Sequence, residues 1–346
     1  MTPSAVQSIG LPEIVAGILL VLLNAYVLMG GADFGGGTWD MLASGPRRDA
    51  QRELIARQIG PIWEANHVWL IVAVVVLFTG FPGAFADVAT ILHVPIALML
   101  IGIVLRGSAF VFRSYGGRSE RARARWGRVF AVASAATPVL LGIVIGAIST
   151  SATGQAIAQL GSRSFSDAFI RPWFAPFPIV VGLMALTLFA QLAAVYLALA
   201  AKDMALREDF RRRAIGSGAA AIVAAGIALA LAKVEAPFVH AGVMRSSWSI
   251  PLVGATAIAA AITIWALFQR RYALARVTAA GEVSLILWGW GAAQYPFLVP
   301  PTLTIRSAAA PNPTLQVLLW VLAGGALILL PSLAFLLRTF ARTASE

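Results

Sequence analysis

Gly60-Pro-Ile-Trp-Glu-Ala-Asn-His-Val-Trp-Leu-Ile-Val72 opens an apolar run that continues to Gly80, and its reading decides the fold. A run of about 20 apolar residues crosses a bilayer as a helix. This one keeps an acid (Glu64), an amide (Asn66) and an imidazole (His67) between Trp63 and Trp69. Ionisable groups at membrane depth are costly, so a chain that retains them there uses them. On a helix, Glu64 and His67 stand three residues apart on one face, as do Asn66 and Trp69.

The rest of the chain is of the same kind. Of 346 residues, 59% are hydrophobic and only 12% charged, with a mean hydropathy of +0.83. A soluble domain carries about 25% charged residues, so here the bilayer is the solvent. The expectation is an all-α integral membrane protein, one membrane domain over 1–346. Nine stretches are long enough to span: about 9–30, 60–80, 88–112, 127–150, 176–201, 213–233, 250–269, 278–298 and 314–339. Twenty of the 26 Lys and Arg fall after the first, third, fifth and seventh stretches and in the C-terminal tail; five fall on the other side, and Arg106 lies inside a span. The positive-inside rule then puts the N-terminus outside and the C-terminus in the cytoplasm. This asymmetry accounts for the net charge of +11 without nucleic acid. The absence of cysteine excludes disulfides and thiolate metal sites, and three histidines are too few for a self-contained multi-haem site. The first apolar run has no basic residue before it and is long enough to span, which does not fit a cleavable signal peptide.

Several residues carry specific expectations. Desolvation favours the neutral form of Glu64 and a helix N-terminus favours the charged form, the balance a proton acceptor needs. His67 can pass a proton on or bond a neighbouring helix; Asn66 can order water. Trp63 and Trp69 read first as interface anchors and packing. Asp33 and Arg106 fall at a depth similar to that of Glu64, so the three can form one polar cluster, unless Arg106 snorkels to the surface. Gly30-Gly-Ala-Asp-Phe-Gly-Gly-Gly37 reads as the end of the first span, its glycines permitting positive φ or close backbone approach. Residues 46–59 read as an amphipathic surface helix, and the Arg-rich loop 113–128 as a lipid-facing anchor. Glu282 reads as a headgroup-level acid and His93 as an interior histidine; His240 is assigned nothing. The stretch from Trp288 to Arg306 reads as a rigid, aromatic-anchored outer turn.

The chain resembles subunit II of the cytochrome bd-type quinol oxidases. The resemblance is carried by Gly31-Ala-Asp-Phe-Gly35, Ile59-Gly-Pro-Ile-Trp-Glu-Ala-Asn-His-Val-Trp-Leu70, Leu105-Arg-Gly-Ser-Ala-Phe110 with Arg113, Gln294-Tyr-Pro-Phe-Leu-Val-Pro-Pro-Thr302 and the Ala-Ala-Ala-Pro run at 308–311. It implies nine helices in two four-helix bundles plus one peripheral helix, in the inner membrane of a bacterium. It also implies a heterodimer with a subunit I that holds b-type and d-type haem and the quinol site, in a complex that reduces O2 to water. Small single-span accessory subunits and a structural quinone or lipid are left open. In the family the acid at Glu64 is assigned to proton entry from the cytoplasm and the Trp at Trp69 to an oxygen-access region. Asp33 and Arg106 carry over only as motif members. Many relatives place an acid between Phe110 and Arg113; Val111 and Phe112 stand there, so the pairing that family members make with that acid does not carry over to this chain. Two other readings are a secondary transporter, which needs broken helices with polar groups at mid-membrane, and a scaffold subunit with no proton role.

Overall fold

The computed structural model describes residues 9–59, 63–115 and 120–343, with the side chains of all but 59, 63–65, 114–115 and 336–343. The side chains of Trp63 and Glu64, for which the sequence predicts roles, therefore lie outside the described residues; their backbone begins a helix.

Helix α1 (Leu11–Met41) runs 31 residues without a break, with Pro12 in its first turn. It does not stop at the glycine-rich segment. None of those glycines has a positive φ; the segment is helix interior, and its missing side chains serve close approach. Helix α2 (Arg48–Ile59) follows and buries Gln51, Leu54 and Ile55 while Arg48, Glu53 and Arg57 stay exposed, as its amphipathic pattern requires. Helix α3 (Trp63–Gly80) is followed after Phe81 by α4 (Pro82–Ile91), which turns away by 115°. Pro82 explains the break: it has no N–H to continue the ladder and suits a new first turn. Helices α5 (His93–Tyr115) and α6 (Glu120–Ile148) complete the first half.

The short helices α7 (Ser151–Ala158) and α8 (Phe165–Phe169) are capped by Thr150 and Ser164. They lead to α9 (Pro176–Ala200) and α10 (Met204–Glu235), the latter capped by Asp203. Helix α11 (Pro237–Arg245) precedes α12 (Ser249–Phe268) and α13 (Tyr272–Gln294). The expected outer turn then forms a small antiparallel ribbon, β1 (Phe297–Val299) with β2 (Leu303–Thr304), an exception to the all-α expectation. The chain ends with α14 (Ile305–Ala308) and α15 (Asn312–Thr343).

Seven helices among the described residues are long and apolar enough to cross a membrane: α1, α5, α6, α9, α10, α12 and α15. The bent pair α3–α4 makes eight if taken as one span. Helix α13 is not among them, since Arg276, Glu282 and three glycines dilute its apolar content.

Helix α9 is the hub, packed against α1, α6, α10 and α13; Leu192, Ala194 and Val195 on it are fully buried. Small residues allow this. A Cβ at Gly35 would lie 2.0 Å from the carbonyl oxygen of Phe189, and one at Gly142 would lie 2.7 Å from the Cα of Gly182. Such near-backbone contact is how membrane helices gain packing energy when lipid supplies no hydrophobic drive. Trp39 fastens the same α1–α9 contact by donating its indole N–H to the carbonyl of Ala190 at 2.7 Å. Helix α15 sits at the edge, touching α1 and α3 and presenting Val317, Trp320, Leu327 and Ile328 outward.

Candidate functional site

Helices α1, α3, α5 and α6 bring four polar side chains to one level. Asp33, Asn66, Arg106 and Ser134 are each no more than 1% exposed. Asp33 Oδ1 accepts from Arg106 Nη2, in a close ion pair. Asp33 Oδ2 accepts from Asn66 Nδ2 at 2.7 Å. Arg106 Nε donates to Ser134 Oγ at 3.0 Å, and its Nη2 also reaches the Asp33 carbonyl at 3.4 Å. The rings of Phe34 and Phe130 lie 4.7 and 5.1 Å from the guanidinium carbon and close the site as cation–π partners. Arg106 does not snorkel. Two opposite charges taken out of water hold their place only when well paired and hydrogen-bonded, and these are.

Of the three residues the sequence predicts in one cluster, Asp33 and Arg106 meet directly and the side chain of Glu64 lies outside the described residues; Asn66 joins them, and so does Ser134, which the sequence does not single out. Asn66 Oδ1 is buried and accepts no hydrogen bond from the described residues. His67, half-buried on the next position of α3, has Asp33 and Arg106 as its electrostatic neighbours. Trp69 donates its N–H to the Met29 sulfur at 3.1 Å and packs beside Tyr26, Phe34 and Phe189. A cavity of about 780 Å³ adjoins this level, with Asp33, Gln58, Tyr196 and Arg276 among its lining.

The pairing repeats along the two helices. Asp40 accepts from both terminal nitrogens of Arg113, at 2.9 and 3.2 Å. Asp40 follows Asp33 by seven residues and Arg113 follows Arg106 by seven, so two parallel helices carry matching ion pairs two turns, about 10 Å, apart. Arg113 thus finds on α1 the acid it lacks in its own segment. The signal was in the sequence, as equal spacing of two acids and two arginines. Arg113 is 27% exposed, so a double-mutant cycle with Asp40→Asn and Arg113→Gln should give a coupling of only about 1 kcal/mol. A coupling near zero in thermal unfolding of the assembled complex would mean the pair contributes nothing.

Two expectations are corrected. Glu282 is not exposed at the start of its helix: it lies ten residues into α13, about 15 Å along it, and is 3% exposed, covered by protein. A period-3.6 face packed on α9 carries it inward. His93 is exposed at the start of α5, where its Nδ1–H donates to the Thr90 carbonyl at 2.9 Å; the break before α5 turns it out of the interior. His240 is half-buried on α11. The three histidines stand on three different helices, and no cluster of three or more His, Cys, Asp or Glu suited to a metal occurs among the described residues.

The family model described as cytochrome bd terminal oxidase subunit II matches residues 11–340. A Bacillus subtilis (strain 168) protein provisionally named a cytochrome bd menaquinol oxidase subunit II is 25% identical over 327 residues, covering 92% of each chain. The cytochrome bd-I ubiquinol oxidase subunit 2 of Escherichia coli (strain K12) is 23% identical over 90% of this chain and 88% of its own. The fold is similar to that in the structure of bd oxidase from Geobacillus thermodenitrificans, with a TM-score of 0.75 and 22% identity over 95% of this chain and 98% of that one.

Proposed function

Because the chain belongs to the cytochrome bd terminal oxidase subunit II family, we propose that it supplies the oxidase with part of the proton path that serves O2 reduction. It is a multi-pass protein of the bacterial inner membrane and a subunit of a quinol-oxidising complex whose partner, subunit I, carries the catalytic sites. All nine long helices cross the bilayer, α3 and α13 included, in two four-helix bundles with α15 peripheral. The N-terminus is outside and the C-terminus cytoplasmic. Haem b, haem d and the quinol site belong to the partner.

The observation that carries the proton role is the buried chain Asn66–Asp33–Arg106–Ser134, which begins within one turn of Glu64 on α3. Glu64 takes a proton from the cytoplasmic side. His67 and Asn66 pass it on or order the water that does, Asn66 Oδ1 being the acceptor still open to a donor. Asp33 and Arg106 set the local charge. The cavity beside Asp33 is the space in which water can stand. Trp69 packs along the wall of an oxygen route.

Glu64→Leu tests this. Losing a positioned proton acceptor costs on the order of 100-fold in rate. Quinol oxidation should fall by that order while haem content per complex stays at the wild-type level, and Glu64→Asp should recover most of it. Wild-type turnover in Glu64→Leu would leave the chain a scaffold with no proton role.

A further inference from the structure

A further buried acid lies between α9 and α13. Glu282 is 3% exposed and Gln191 is 2% exposed. Gln191 Nε2 donates to Glu282 Oε2 at 3.3 Å, and Gln191 Oε1 is buried with no donor among the described residues. Gly218 on α10 leaves the room: a Cβ there would stand 3.0 Å from Gln191 Nε2. The ionisable groups on the elements packed here include Tyr26, Asp33 and Asp40 on α1, Tyr196 on α9, His240 on α11 and Arg276 on α13. None of them is hydrogen-bonded or ion-paired to Glu282, and α12 carries no charge.

A carboxylate buried in protein without a cation is costly, and so is an orphaned amide oxygen. One proton removes both costs. We propose that Glu282 is held as a neutral carboxylic acid in a reciprocal pair with Gln191, which makes this the second proton-binding site of the chain. The acid O–H donates to Gln191 Oε1 while Gln191 Nε2 donates to the acid carbonyl. Its two side chains stand on α9 and α13, whereas Asp33, Asn66 and Arg106 stand on α1, α3 and α5.

The test is infrared spectroscopy of the complete oxidase complex in H2O and D2O, wild type against variants. Glu282→Gln should lose a protonated-carboxyl C=O band that is sensitive to deuterium. Gln191→Leu should keep that band and move it to higher frequency, because its hydrogen bond is gone. Loss of carboxylate bands instead, or an unchanged protonated-carboxyl region, would overturn the proposal. Should Glu282→Gln not assemble, Gln191→Leu decides alone: a shifted band supports the pair, an unshifted spectrum rejects it.

Discussion

Asp33→Asn should cost the assembled complex about 3–5 kcal/mol, the penalty for leaving a buried charge without its counter-ion. The asparagine keeps the shape, and its Oδ1 can still accept from Arg106 or from Asn66, but the guanidinium between two phenylalanine rings then has neutral acceptors in place of the carboxylate. Haem-bearing complex recovered from membranes should drop steeply. The double variant Asp33→Asn/Arg106→Gln removes both charges, and replacing a whole buried pair is often nearly neutral. Haem content should therefore return in the double variant. Turnover should not, if the charge at Asp33 belongs to the proton path, so haem content and rate separate the structural part of the cluster from the functional part. Full yield and full turnover in Asp33→Asn alone would show that the ion pair serves neither.

Gly35→Ala is expected to be nearly as damaging, though it adds one methyl group. The new Cβ would stand 2.0 Å from the Phe189 carbonyl oxygen and 2.8 Å from the Cβ of Ala193. Neither the carbonyl nor the alanine can swing aside, so α1 and α9 must separate. Overpacking costs about 1–3 kcal/mol where side chains can yield, and this contact belongs at or above that upper end. Separation also breaks the bond from Trp39 to Ala190 and shifts Asp33, two residues earlier on α1. Gly226→Ala on α10 is the matched control. A Cβ there meets nothing within 4 Å, so the exchange should be neutral or should stabilise by up to about 1 kcal/mol through helix propensity. Equal heat stability of the two variant complexes would refute the close-approach account of the α1–α9 contact.

The membrane class, the helical composition and the place of the polar stretch on α3 were legible in the sequence by itself. Hydropathy and the positions of Lys and Arg act locally: each residue answers to the solvent around it whatever its distant neighbours are. The motif residues Asp33, Asn66 and Arg106 stood out for the same reason, being polar where lipid is the surroundings. Pairing is not local. Which acid meets Arg113, why α1 runs through its glycines to Met41, and that Glu282 turns inward onto Gln191 depend on how whole helices are rotated and set against each other. A glycine reads alike at a turn and at a helix crossing. Only the neighbour that comes within van der Waals distance tells the two apart, and that neighbour is 154 residues away in the case of Gly35 and Phe189.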